Sequence, residues 1–60
     1  MANDIDMWQD IEEYEKEGKQ EIADDLLACF NARYNEGNTA QAEKLKRKFI
    51  KKYGFWDNYY

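Results

Sequence analysis

Sixty residues with a net charge of −4 make one domain, residues 1–60, and at this size folding buries only about 60% of the surface that the unfolded chain exposes. The chain has no histidine, no serine, one threonine and one cysteine, which excludes nucleophile-plus-imidazole catalysis and the Cys/His zinc patterns. Carboxylate-only acid–base chemistry is left, but so small a domain has little room for the desolvated cleft it needs; the expectation is a binding protein, not an enzyme, without metal or cofactor.

The absence of proline and valine, with abundant Ala, Leu, Glu, Lys and Gln, points to an all-α fold. Gly18, Gly37 and Gly54 each follow a helix-like stretch where a left-handed residue would stop it, dividing the chain into helices over 4–17, 20–36 and 39–53. The first helix starts from Asn3 or Asp4 as N-cap, and acidic residues in its first turn suit the positive end of the helix dipole. Met7, Ile11 and Tyr14 form its core stripe, with Trp8 beside them.

In the second helix Ile22, Ala23, Leu26, Leu27, Phe30 and Tyr34 cover an arc of roughly 140°, too wide for one neighbour, so this helix is expected between the other two. Cys29 at the edge of the arc reads as a small apolar filler, and Arg33 inside it as a side chain whose stem covers the core edge or as a partner for a buried carboxylate. Ala28 and Ala32 fall on the polar side, four residues apart.

The third helix follows Gly37, with Asn38 or Thr39 as N-cap and Asn38 with Gln41 as an approximate capping box. Ala42, Leu45, Phe49 and Tyr53 form its inward row, and Phe55 is expected to cover Ile50 in a Schellman ending at Gly54. The aromatic tail, residues 55–60, either closes the open end of the bundle or exposes Trp56, Tyr59 and Tyr60 as a binding patch.

Connections of two or three residues favour a small antiparallel three-helix bundle. Lys19 and Gln20 are poor N-caps, which leaves a second arrangement: one long bent helix over 4–36, kinked at Gly18, plus the helix 39–53. Burial gives about 95 kcal/mol and ordering the chain costs about 90, so the isolated monomer is expected to be only modestly stable.

The charge is divided. Residues 1–25 hold ten acidic groups against Lys16 and Lys19, and residues 43–52 hold five lysines and one arginine against Glu43. Asp6, Asp10, Glu13 and Glu17 fall within about 60° of one another, expected opposite the core stripe, and Lys44, Arg47, Lys48 and Lys51 within about 100°. Like charges at i,i+4 cost a few tenths of a kcal/mol per pair, so a uniform stripe calls for a reason beyond solubility.

Three partner classes follow. An acidic face extended by Glu21, Asp24 and Asp25 suits a basic surface on a larger protein, with imitation of DNA phosphates as the sharpest form and inhibition by occupancy as the mode of action. The basic stripe of the third helix suits nucleic-acid phosphates, although the net negative charge repels a polyanion at distance. Self-association would bring the acidic stripe of one copy to the basic stripe of another. Over residues 1–17 acidic groups recur and no apolar run exceeds two residues, which argues against a signal peptide or membrane span; with a single cysteine, a cytoplasmic location is the expectation.

Overall fold

The structure, a computed structural model, describes residues 3–60, and side chains from Asp4 onward. It is an all-α three-helix bundle. Helix α1 spans Asn3–Lys16, α2 spans Gln20–Phe30 and continues as one π-helical turn over Asn31–Asn35, and α3 spans Thr39–Tyr53. Asn3 and Asp4, the expected N-caps, both lie inside the first turn of α1.

Helices α1 and α2 are separate, which excludes the long bent rod. Gly18 adopts φ +78°, its N–H donates to Glu15 O (3.1 Å), and Lys19 N–H reaches back to Tyr14 O (2.9 Å). These two bonds are a Schellman ending, and they reverse the chain without help from an N-cap: Lys19 makes no side-chain cap bond to α2. At the start of α3, Asn38 caps as expected, its side-chain oxygen accepting from Gln41 N–H at 3.1 Å. The end of α3 differs from expectation. A single bond from Gly54 N–H to Ile50 O (2.7 Å) closes an αL motif, Phe55 turns onto Phe49 (centroids 5.4 Å apart), and Ile50 stays 39% exposed.

Helix α2 lies between its neighbours, and its buried residues are Ala23, Leu26, Cys29 and Ala32. A row spaced by three drifts around an α-helix, so it faces one neighbour at its start and another at its end. That drift places Ala32 in the core, where a simple wheel sets it on the polar side with Ala28. The π turn adds a second departure from the wheel. An uninterrupted α-helix would send Tyr34 after Phe30 along the α1 side, whereas the wider turn swings Tyr34 toward the tail, where its hydroxyl donates to Tyr59 O at 3.1 Å.

The tail is the fourth structural element. Tyr59 is 2% exposed and belongs to the core cluster with Met7, Ile11, Leu26, Cys29 and Phe49. Asn58 sits at φ +58°, a left-handed conformation that asparagine tolerates, and this turn aims Tyr59 inward. Trp56 lies edge-on to Phe49, Tyr59 and Tyr60 at 5.1–5.5 Å. The tail thereby fills the gap between α1 and α3.

Two substitutions test this account by urea denaturation. No atom lies within 4 Å of a Cβ added at Gly18, so Gly18→Ala should lose only the left-handed backbone term, about 1–2 kcal/mol. Leu26→Ala, at a fully buried position, should cost about 2–5 kcal/mol, enough to unfold a marginal domain.

Candidate functional site

The acidic residues of α1 and α2 divide by role. Asp10 is half-buried and accepts the Tyr59 hydroxyl at 2.5 Å, so the stripe flanks the core instead of standing opposite it. The wheel carries the reason: the stripe's centre lies about 100° from that of Met7, Ile11 and Tyr14, at the margin where the tail arrives. Asp25 accepts from the Tyr53 hydroxyl (2.6 Å) and from Lys52 Nζ (3.0 Å), and Glu21 pairs with the same lysine. Asp10, Glu21 and Asp25 therefore join α1 to the tail and α2 to α3.

The remaining acidic positions face solvent. Glu17, in the turn after α1, pairs with Lys19 at 3.1 Å, and Asp24 accepts from Gln20 Nε2 at 2.8 Å. Asp6 and Glu13 are exposed. Solvent screening keeps such exposed pairs weak, so these carboxylates remain available to a partner.

Sequence reasoning missed the apolar part of this surface. Ile5 is 56% exposed and Trp8 44%, although Trp8 was expected beside the core. Only one side of the indole is covered, by Phe30 at 5.4 Å, and Phe30 in turn meets Tyr34 at 5.2 Å. Ile5, Trp8, Glu12 and Glu15 stand at i, i+3, i+7 and i+10, one helix face, and that spacing was the signal that could have found it. Helix α1 thus presents two exposed apolar side chains on a face they share with the carboxylates Glu12 and Glu15.

On α3 the basic stripe is where the sequence places it. Lys44, Arg47, Lys48 and Lys51 are all exposed, and none forms an ion pair with a described carboxylate. The other two cations of the helix are used internally: Lys46 Nζ donates to the main-chain oxygen of Tyr60 (2.8 Å), and Lys52 holds Glu21 and Asp25.

The tail aromatics serve the core and are not an exposed patch. Tyr60 donates its hydroxyl to Ala42 O (2.7 Å), and Trp56 Nε1 donates to the main-chain oxygen of Tyr60 (3.3 Å). Arg33 lays its guanidinium 5.0 Å from the Tyr60 ring centroid and forms no ion pair among the described residues, which favours the stem-covering role. Cys29 is buried beside Tyr60, and burial pushes its thiol up to about 11, which keeps it protonated at neutral pH.

No protein-family model matches the chain, and neither the curated proteins nor the solved structures contain a significant match. Among the described residues, no helix is long and apolar enough to cross a membrane.

The titrating groups fix a pH profile. Burial raises the Cys29 thiol from 9.0, and burial first, then neighbouring carboxylates or the thiol, raises the hydroxyls of Tyr14, Tyr53, Tyr59 and Tyr60 from 10.0. A raised folded value means stability fully present below the ordinary value and lost as pH rises through the folded one, so unfolding should ease from about pH 9 upward. Asp25 runs the other way: the Tyr53 hydroxyl and Lys52 hold its carboxyl below 3.8, so its contribution is lost as pH falls through that lowered value. Urea midpoints measured against pH should show both limbs. Tyr59→Phe should cost about 1–3 kcal/mol at neutral pH and flatten the alkaline limb, and Asp25→Asn should remove part of the acid one.

Proposed function

We propose that this protein is a small binding module that occupies a basic surface of a larger protein through α1, acting as an accessory or inhibitory factor. The observation that carries this reading is the pair Ile5 and Trp8, 56% and 44% exposed on a helix whose neighbouring outward residues are mostly acidic. Tryptophan is enriched among residues that dominate interface energetics, and carboxylates around an apolar anchor speed encounter with a basic partner while disfavouring acidic ones. A long binding loop or catalytic cleft is not needed; one helix face suffices. The lone buried thiol suits a reducing cytoplasm, where the protein would act.

A second reading rests on α3, whose four aligned cations Lys44, Arg47, Lys48 and Lys51 are free of described carboxylates and suit nucleic-acid phosphates. The acidic surface of α1 and the net charge of −4 weigh against it, because a polyanion is repelled before it reaches the stripe.

Affinity capture of partners from the native host at low and high salt, repeated with variants, separates the two. Trp8→Ala should weaken partner binding about 30-fold, the effect of losing roughly 2 kcal/mol at an anchor. Asp6→Lys with Glu13→Lys should slow association and leave the helical spectrum unchanged; Asp10 is left intact because Tyr59 depends on it. If both variants retain the partner and Lys44→Glu with Lys48→Glu instead abolishes binding to duplex or single-stranded nucleic acid, the α1 reading is wrong and the α3 reading stands.

A further inference from the structure

Between α2 and α3 runs a groove that the fold leaves open. The hollow between the two helices holds about 320 Å³, and the ion pair of Asp25 and Lys52 lies along it; a second hollow of about 290 Å³, lined by α3 residues alone, adjoins it and shares Leu45 and Lys48. Ala28, Leu45 and Phe49 supply an apolar floor, and Lys44 and Lys48, one turn apart, supply a cationic rim. Ala28 matters for the depth: a small side chain on α2 at this point lets a third helix approach closely.

The exposed face of α1 has the complementary composition. Ile5 and Trp8 are apolar and uncovered, and Glu12 and Glu15 continue the same face as an exposed anionic pair. An apolar floor with two lysines thus exists in the same molecule as an apolar ridge with two glutamates. Within one copy they cannot meet, because α1 seats on the Phe30 side of α2 and α3 on the Asp25 side. Those two positions are about 140° apart around the helix.

We propose that the α2–α3 groove receives α1 of a second copy, with Ile5 and Trp8 on the floor of Ala28, Leu45 and Phe49, and Glu12 and Glu15 paired with Lys44 and Lys48. This inference rests on the reading of α1 as a docking helix and names a partner for it. The mode is an amphipathic helix laid in a groove, read by residues at i, i+3, i+7 and i+10. Each copy carries one ridge and one groove, so a twofold pair makes the ridge-in-groove contact twice, and an arrangement that does not close would extend further. Self-association also covers the face offered to other proteins, so raising the concentration of the protein would lower the fraction free to act.

Sedimentation of the full chain at low and high salt tests this directly. The wild type should exceed the mass of one chain as concentration rises at low salt, and return to it near 1 M salt, where the screening length is about 3 Å. Glu12→Lys with Glu15→Lys should leave a monomer, because a cationic ridge then faces a cationic rim. Lys44→Glu with Lys48→Glu should do the same with the signs exchanged. Mixed in equal amounts, the two double variants should associate again, since each ridge now matches the other's groove. All four positions are exposed, and far-UV spectra check that the variants stay helical.

A wild type that remains one chain at every concentration at low salt would overturn the inference, as would a mixture that stays monomeric or a rim-reversed variant that still self-associates. The failure of α1 as a docking helix is read elsewhere: Trp8→Ala would then leave capture of the heterologous partner unchanged, whatever sedimentation shows.

Discussion

Three helices of eleven to fifteen residues do not enclose a core by themselves, and the burial of Tyr59 resolves that shortage. Its ring completes the cluster of Met7, Ile11, Leu26, Cys29 and Phe49, while its hydroxyl binds Asp10 at the margin of α1. Much else follows from this one placement. Trp56 and Tyr60 are carried onto α3, Arg33 gains a ring to lie against, and the π turn of α2 gains its purpose in presenting Tyr34 to the tail. A chain segment without regular secondary structure thus does the work of a fourth helix, and aromatic side chains make that feasible because each covers a large area with few rotatable bonds.

Charge is organised around the same constraint. Acidic groups at the margins of the helices, Asp10 and Asp25, accept from the hydroxyls of Tyr59 and Tyr53. No buried side-chain polar atom among the described residues is left unsatisfied, which is what a core this rich in tyrosine requires. Acidic groups one position further around α1 are released from structural duty, as are the four aligned cations of α3. The sequence's two opposed charge blocks therefore serve two purposes, and only the residue's angular distance from the core separates them.

Helix limits, the capping role of Asn38, the central place of α2 and the inward positions Met7, Ile11, Leu26, Ala42 and Phe49 were all legible in the sequence, because periodicity and glycine spacing are local properties. Other features were not. A wheel treats each helix alone, so it did not show that the buried row of α2 drifts to Ala32, nor that Asp10 faces an arriving tail. Trp8 lies at the edge of the α1 arc, where the presence or absence of a neighbour decides exposure, and its neighbour Phe30 covers one side only. Residues 55–60 have no periodicity, so their composition fitted a core and an interface equally well until the turn at Asn58 decided between them.

The lone thiol sits at an instructive place. Cys29 lies on α2 at 1% exposure, within the cluster of Met7, Ile11, Leu26, Phe49 and Tyr59, so a reagent reaches it only when that packing opens. Its rate of modification is therefore a built-in gauge of how often the core opens. The molecule reports, through a single sulfur atom, how often the seal over its own core is broken.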